Sequence, residues 1–342
     1  MSEFSGYEKM PSSVKKLGLG AAEFKALDKI NWVVTEKVHG ANFSFVYEEG
    51  TLRYAKRKAY LTWEDDFFGF QLVVSQLESS VLALFEVLAL QYPQQKLMLY
   101  GELFGGEYPH KEVQDVPEVQ AIQTGVYYAP GIHFCAFDLA MEDPELGTKR
   151  YLDYETAVGL FDEHSIFYAK PLLVGKFNEV LNFDTRINST VPAQLGLPPL
   201  AENLIEGVVV KPYEAWDETA VSVRPIVKLK NPEFEEDKKF HEANKWSFRP
   251  EVQSKSEELA YILTELRAYV VPNRLESAIS KIGAPDPSNA QRMADIEAEF
   301  LQDALADFGE DYEGLLDELA PEDQTWITER LRAEIRKVMA LW

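Results

Sequence analysis

The sequence has few of the residues on which disulfide frameworks and metal centres depend. It contains one cysteine, Cys135, among 342 residues, which excludes a disulfide framework and a cysteine-based zinc site. Apart from His39, its histidines are scattered without the spacing of metal ligands. A lone cysteine in an apolar segment is typical of proteins from a reducing compartment, so we expect a cytoplasmic location.

Long apolar runs are also missing. No stretch reaches the roughly 18 apolar residues that cross a bilayer, and the opening segment MSEFSGYEKM lacks the apolar core of a secretory signal. We therefore expect no membrane partner. We interpret the glycosylation sequon Asn188-Ser189-Thr190 as incidental.

Basic residues are scarce, with 34 Lys and Arg against 57 Asp and Glu and a net charge of -23. That balance argues against a nucleic-acid partner, since binding to phosphates depends on cationic side chains. However, residues 284–329 hold fourteen acidic residues and one basic residue, Arg292, and so carry -13 of the total. Basic faces therefore remain available on strand-like segments elsewhere. The two basic clusters are Arg53, Lys56, Arg57 and Lys58, and then Arg224, Lys228 and Lys230.

Length and composition predict two domains, because 46% hydrophobic residues suffice for a core in each. Residues 1–235 show mainly strand-like alternation, and residues 251–342 show helical apolar stripes. Residues 236–250 are predicted to be a linker. The pattern indicates an α+β protein whose first domain is followed by an all-α domain.

Within the first part, residues 42–47 and 52–56 flank a Glu49-Gly50 turn and predict a β-hairpin. Helices are predicted at residues 67–90 and 153–162. Further strands are predicted at residues 97–100, 133–139, 207–211 and 221–230.

The segment TEKVHGANF at residues 35–43 places Lys37, His39 and Asn42 at the entry to the hairpin, where a loop presents polar groups on a rigid frame. Taken alone, it is equally typical of a charged turn between strands, because short patterns recur by accident. Four further segments bear on that choice. They are YGELFGG at 100–106 with Glu102, FCAFDL at 134–139 with Phe137 and Asp138, EGVVVKP at 206–212 with Glu206, and VKLK at 227–230 with Lys228 and Lys230.

Each of these segments also has an ordinary structural interpretation. Phe137 fits a core aromatic, and Glu102 and Glu206 fit carboxylates at strand edges. A buried carboxylate without a partner is costly, so two of them beside glycines favour a site. For Asp138, a binding role and a role in holding its strand or a lysine both remain open.

Taken in order, the segments resemble the covalent nucleotidyltransferases, and most closely the RNA ligase 2 family, which includes the phage T4 enzyme and the trypanosome RNA-editing ligases. Residues 269–274 and 279–283 resemble the helical C-terminal domain of that family. The resemblance thus covers nearly the whole chain. It implies a nucleotidyltransferase domain of antiparallel sheets with flanking helices, followed by helices.

The resemblance implies an ATP-dependent RNA ligase that seals nicks in duplex RNA through a lysyl-AMP intermediate. A DNA ligase or a capping guanylyltransferase shares this lysine chemistry, and an inactive nucleic-acid-binding relative is a further alternative. Lys37 is the implied nucleophile, and Lys228 and Lys230 are expected to favour its neutral amine by opposing a third positive charge. The implied catalytic residues are Lys37, His39, Asn42, Arg57, Lys228 and Lys230.

The resemblance also implies where the substrates bind. Phe137 would stack on adenine, Glu36 would face its polar edge and Glu102 would bind the ribose. Glu206 is the expected ligand of Mg²⁺, with Mn²⁺ as an alternative ion. The implied nucleotide-binding residues are Glu36, Lys37, Asn42, Arg57, Glu102, Phe137, Glu206, Lys228 and Lys230. RNA contacts are expected from Arg57, Lys58 and Arg274, and a monomer is the expected state.

Overall fold

The computed structural model describes residues 4–232, 234, 248, 250, 255–312 and 314–340. The chain divides into two compact units, residues 1–252 and 253–342. Of the predicted linker, only Phe248 and Pro250 lie within the described residues. The predicted domain limits at residues 235 and 251 therefore stay predictions.

Two antiparallel sheets form the frame of the first unit. The strands are β1 (Trp32–Glu36), β2 (Ala41–Glu48), β3 (Thr51–Lys56), β4 (Ala59–Leu61), β5 (Lys96–Glu107), β6 (Ala129–Glu142), β7 (Lys149–Tyr151), β8 (Pro171–Gly175), β9 (Gly207–Pro212) and β10 (Val227–Lys230). One sheet has the order β10-β9-β1-β8, and the other has the order β4-β3-β2-β5-β6-β7. With the helices below, this arrangement confirms the predicted α+β class.

Short helices and one long helix flank these sheets. The elements are a 3₁₀ turn (Val14–Leu17), α1 (Ala21–Leu27), α2 (Phe70–Gln91), α3 (Tyr154–Glu163), α4 (Phe177–Leu181) and α5 (Val191–Gln194). Both predicted helices are confirmed. The second begins after Asp153, whose side chain accepts a hydrogen bond from the Thr156 N–H and so caps the helix.

The predicted hairpin is confirmed as β2 and β3, in which Glu48 pairs with Thr51. Glu49 and Gly50 between them have φ values of 50° and 77°. Positive φ at both central residues is what a two-residue type I′ turn requires, and its twist matches that of the strands. Glycine supplies one of these conformations without steric cost.

The strand predicted at residues 221–230 is wrong in its first half, because β10 covers only Val227–Lys230. Pro225 has no N–H to donate to a neighbouring strand. Arg224 turns instead toward the buried Asp138, with which it forms an ion pair. The alternating pattern alone does not reveal either effect.

Helix α2 packs across the six-stranded sheet, where Val81, Leu84 and Phe85 join the core around Phe43 and Phe45. Among the described residues, α2 is the helix whose length and apolar composition would suffice to cross a membrane, with a mean hydropathy of 1.6 over 18 residues. Its packing in this core accounts for that composition.

The second unit is helical. Its elements are α6 (Lys255–Arg267), α7 (Pro272–Ile282), α8 (Ala290–Asp311), a 3₁₀ turn (Leu315–Glu318) and α9 (Pro321–Ala340). The helices share a core that includes Leu266, Phe300 and Leu331. The predicted all-helical character of this part is confirmed.

Candidate active site

A cavity of 530 Å³ lies among strands of both sheets in the first unit. Its walls include residues of β1, β2, β5, β6, β9 and β10. Segments that are far apart in sequence therefore meet at one place. The predicted site residues that line it are Glu36, Lys37, Asn42, Arg57, Lys58, Glu102, Phe137 and Lys228, with Asp138 beside them.

Lys37 directly follows β1, and its backbone N–H donates to the carbonyl oxygen of Gly207 at 2.9 Å. Gly207 begins β9, and a Cβ atom at this position would lie 2.2 Å from the Leu229 carbonyl oxygen. The glycine thus permits β9 and β10 to approach closely. This packing brings Glu206 and the lysines of β10 to Lys37.

The buried carboxylate of Glu206 is the centre of a cluster of basic side chains. It forms ion pairs with Lys37 Nζ and, at 3.9 Å, with Lys230 Nζ. His39 Nδ1 lies 3.2 Å from the same carboxylate. Burial alone would raise the pKa of Glu206, but the hydrogen bond from His39 and the charge of Lys37 lower it to about 2. Glu206 is therefore an anion at neutral pH.

Lys228 lies in the same cluster and lines the cavity. Burial lowers the pKa of Lys228, and the charges of Lys37, Lys230 and Arg57 lower it further, while Glu206 opposes them. The four cations are thus close enough to repel one another. This cluster of cations suits a site for the polyphosphate of a nucleotide.

Glu102 and Asn42 face the cavity from paired positions on β5 and β2. Gly40 precedes this pair, and a Cβ atom there would lie 1.9 Å from the Leu103 carbonyl oxygen, so only glycine fits. Burial raises the pKa of Glu102 to about 7, and Glu206 adds to the rise, while Lys37 opposes it. Among the described residues, the buried Asn42 Oδ1 has no hydrogen-bond partner, which suits contact with a ligand.

The free energy of unfolding is expected to fall as the pH rises from 4.5 to about 7, the interval between the ordinary and the folded-state pKa of Glu102. In this interval the folded protein holds the proton more tightly than the unfolded chain, so each loss of the proton disfavours folding. The expected loss is up to about 3 kcal/mol. Urea unfolding at pH 5 and pH 8 measures it.

A Glu102→Gln variant provides the comparison, because glutamine stays neutral and lacks this pH dependence. The stability difference between variant and wild type should grow in favour of the variant from pH 5 to pH 8. Parallel pH profiles for the two proteins would contradict the assignment.

Phe137 occupies a β-bulge in β6. Tyr100 pairs with Asp138 and Gly101 pairs with Ala136, so Phe137 is the extra residue between them. A bulge bends its strand and changes the direction of a side chain, which is why bulges often lie beside active sites. Here Phe137 lines the cavity, in agreement with a surface for base stacking.

Asp138 borders the cavity, but its carboxylate is engaged in a buried network. Its carboxylate accepts from Lys211 Nζ at 2.8 Å and from the Tyr7 hydroxyl at 2.5 Å, and it pairs with Arg224 at 2.7 Å. Burial opposes its ionisation, but Arg224 and Lys211 lower the pKa of Asp138 to about 2. Lys211 also donates to the Phe137 carbonyl oxygen at 2.7 Å, so the network supports the bulge.

Glu36 lines the cavity but has a side chain held from behind. Its carboxylate accepts from the Ser189 hydroxyl at 2.6 Å, from the Thr190 N–H at 2.9 Å and from the Thr190 hydroxyl at 3.1 Å. Burial raises the pKa of Glu36, and these hydrogen bonds oppose the rise. Ser189 and Thr190 thus support the site through Glu36.

The alternating sequence pattern places Arg57 and Lys58 on a strand, but the structure does not. They form the two-residue turn between β3 and β4, in which Lys56 pairs with Ala59. Both side chains line the cavity from this turn. The difference matters because a turn at the cavity rim is open to a large substrate.

Arg274 lies on α7 in the helical unit, where its guanidinium is engaged. It donates to the carbonyl oxygens of Tyr269 at 3.1 Å and Asp303 at 2.7 Å and pairs with Asp307 at 2.5 Å. Lys281 is similarly paired with acidic residues of α8. These contacts stabilise the helical unit, and the predicted RNA contact of Arg274 stays a prediction.

For a metal ion, the described residues contain no group of three or more His, Cys, Asp or Glu side chains that could hold it together. Glu206 offers an ionised carboxylate beside the lysine cluster. Mg²⁺ commonly takes one or two carboxylates and completes its shell with water and substrate phosphate oxygens. The donor set therefore fits an ion that arrives with a nucleotide, and Glu206 would hold it.

The sequence did not predict the partners that support the site from a distance. Tyr7 and Lys211 hold Asp138, while Ser189 and Thr190 hold Glu36. The local signals were weak: Lys211 only ended an apolar strand, and the two hydroxyl residues formed part of a loop segment.

Comparison with known protein families agrees with this geometry. The model of the RNA ligase family matches residues 30–230, and that of the T4 RNA ligase 2 C-terminal domain matches residues 252–337. The chain belongs to the RNA ligase family. The predicted resemblance to the RNA ligase 2 type is thereby confirmed for both parts of the chain.

Two relatives come from Trypanosoma brucei brucei. The mitochondrial RNA-editing ligase 2 is 34% identical over 201 residues, which cover 53% of this chain and 48% of the relative. The mitochondrial RNA-editing ligase 1 is 28% identical over an alignment that covers 92% of this chain and 77% of the relative. This member of the RNA ligase family thus spans about half of the first relative's length.

Among solved structures, that of Naegleria gruberi RNA ligase with PPi has a TM-score of 0.42 and 15% identity, covering 68% of this chain and 57% of that one. An apo structure of a variant of the same ligase has a TM-score of 0.42 and 16% identity, with 69% and 60% covered.

Proposed function

We propose that this member of the RNA ligase family is an ATP-dependent RNA ligase that joins a 3′-hydroxyl to a 5′-phosphate. The observation that carries the proposal is the cluster of Lys37, Lys228 and Lys230 around Glu206, at one cavity with Phe137. Family membership agrees with it.

In the first step, Lys37 Nζ attacks the α-phosphate of ATP. An N–P bond forms, the bond between the α-phosphate and the leaving pyrophosphate breaks, and the amine loses its protons to solvent. An ion pair favours the charged ammonium, whereas attack requires the neutral amine. The contact between Lys37 and Glu206 must therefore open before attack, and the neighbouring Lys228 and Lys230 oppose retention of the positive charge.

Negative charge develops on the phosphoryl oxygens in the transition state, and fixed cations stabilise it. Lys228 and Lys230 are placed on β10 for this role, and Arg57 approaches from the turn after β3. A magnesium ion bound with ATP would add charge neutralisation at the same oxygens.

The nucleoside is proposed to lie deeper in the cavity. Phe137 is available for stacking on adenine, Glu36 for its polar edge and Glu102 for the ribose. Because the network around Asp138 holds the bulge that carries Phe137, the stacking surface is rigid before the nucleotide binds.

Two RNA steps follow adenylation. The RNA 5′-phosphate takes the AMP from Lys37, and the 3′-hydroxyl then attacks that phosphate and expels AMP. His39 and Asn42 lie beside the lysine for these steps, and Arg57 and Lys58 project from the rim, where a backbone phosphate can reach them. A nick in duplex RNA is the proposed substrate, recognised through shape and phosphates.

A monomer and a reducing, cytoplasmic location stay part of the proposal. The proposal of a reducing environment rests on the single, unpaired cysteine of the sequence, Cys135, which is buried. A DNA ligase or guanylyltransferase would share Lys37, so substrate assays distinguish them.

Incubation with α-labelled ATP and magnesium is expected to label the protein covalently through an acid-labile bond, and α-labelled GTP is expected to label it far less efficiently. The adenylated protein should then seal nicked duplex RNA faster than nicked duplex DNA. Labelling by GTP in preference to ATP would identify a guanylyltransferase, and absence of labelling by either nucleotide would refute the proposal.

A further inference from the structure

The side chain of Glu36 is buried at 3% exposure, yet it lines the cavity. An ionised carboxylate has about four positions at which it accepts hydrogen bonds. Ser189 and Thr190 occupy three of them: one on Oε1 and two on Oε2. The Val191 N–H also acts on this carboxylate. Thr190 thus fills Oε2, and Oε1 is the oxygen that can still accept from a ligand.

The donors are fixed in direction by their own partners. Gln194 Nε2 donates to Thr190 Oγ1 at 3.1 Å, and the Val191 N–H donates to Ser189 Oγ at 3.3 Å. Each hydroxyl thus accepts one hydrogen bond from behind, which leaves its own proton for Glu36. Neither Ser189 nor Thr190 is among the described residues that line the cavity, so both act through Glu36.

Two titratable groups next to Glu36 are uncharged at neutral pH. Tyr128 and Cys135 are buried near it, and burial raises the pKa of both, so both are neutral at pH 7. Hydrogen bonds, and not a neighbouring cation, thus hold the Glu36 carboxylate among these groups.

The two purine bases make different demands on such a carboxylate. Adenine offers one exocyclic amino group next to a ring acceptor, whereas guanine presents a carbonyl oxygen and, beside it, two adjacent N–H donors. A carboxylate with both oxygens free can accept the two guanine donors side by side. When one oxygen is already filled, the carboxylate can accept the adenine amino group but leaves one of the two guanine donors without a partner.

We propose that Ser189 and Thr190 are positioning residues that set the selectivity for ATP over GTP, by filling the acceptor positions of Glu36 that guanine would need. The inference rests on the proposed nucleotidyl transfer to Lys37. It assigns a role to the Ser189-Thr190 pair without any contact between the pair and the nucleotide.

The test compares kcat/KM for covalent labelling by ATP and by GTP. In the double variant Ser189→Ala/Thr190→Val, the ratio of GTP to ATP efficiency is expected to rise about tenfold or more, because a site that pairs each polar group rejects the wrong base by such factors. Thr190→Ser in the otherwise native chain keeps the hydroxyl and should keep the native ratio.

Thr156→Val is the matched control, since it removes a hydroxyl that donates to the carboxylate of Asp153 at 2.8 Å, outside the residues that line the cavity. Its ratio should equal that of the wild type. If the double variant loses ATP and GTP labelling equally, or keeps the native ratio, the pair has only a structural role and the inference is overturned.

A measurement on the wild type keeps the inference testable if the double variant does not fold. Purine riboside triphosphate lacks the amino group, and its kcat/KM is expected to be about tenfold below that of ATP. Equal use of the two would overturn the reading of adenine by Glu36. Absence of any labelling of the wild type by ATP would instead refute the proposed function, so the two failures are distinguishable.

Discussion

Replacement of Lys37 by alanine is expected to abolish covalent labelling by ATP and to lower ligation of RNA with an unmodified 5′-phosphate by at least about a thousandfold. The reason is that Lys37 is the proposed nucleophile at the end of β1, where it lines the cavity, whereas Lys228 and Lys230 on β10 are proposed to stabilise charge on the phosphate. Gel detection of the labelled protein measures the first effect, and sealing of nicked RNA measures the second.

Two comparisons sharpen this result. Lys170→Ala removes an exposed lysine that pairs with Asp162 and should label normally. The Lys37→Ala protein should still seal RNA that carries a preformed 5′-adenylate, because that step requires a positioned AMP leaving group but no lysine bond. Normal labelling of Lys37→Ala by ATP would show that the nucleophile is another residue.

A chain that ends after residue 252 is expected to retain labelling by ATP while its sealing of nicked duplex RNA falls by at least about a hundredfold. The first unit contains the whole cavity and has its own hydrophobic cores, so the adenylation site should fold alone. The helical unit contributes no residue to the described lining of the cavity, so its removal should leave adenylation intact. Its proposed role is to hold RNA.

Labelling and sealing are measured on the same preparation. A cooperative thermal unfolding transition of the shortened chain shows that the first unit is folded. Arg274→Ala in the full chain should also leave labelling near normal while lowering sealing. Because the Arg274 guanidinium pairs with Asp307, the melting temperature of the variant is measured as well. If the shortened chain seals nicked RNA as well as the full chain, the helical unit is not the RNA clamp.

Much of the fold could be predicted from local sequence patterns. The alternation at β2 and β3 with Glu49-Gly50 between them is sufficient for a hairpin, since both the side-chain period and the turn conformation are local properties. The apolar spacing of α2 and the stripes of the second unit likewise depend on residues a few positions apart.

Local patterns were insufficient where a long-range contact competes with them. The strand predicted from residue 221 begins only at Val227, because Pro225 cannot donate and Arg224 pairs with Asp138. Arg57 and Lys58 continue an alternating pattern but form a turn. In both cases the backbone conformation depends on features that an alternating pattern of polar and apolar side chains does not reveal.

For the site, the sequence by itself determined the chemistry: a lysine nucleophile, carboxylates and further lysines on apolar strands, which are residue types that can be read directly. Only the tertiary structure decided which of these charges meet. Glu206 and Lys37 are 169 positions apart, and Ser189 and Glu36 are 153 apart. Such pairs arise from sheet register and close strand packing, and buried hydrogen bonds between distant residues leave no local periodicity in the sequence.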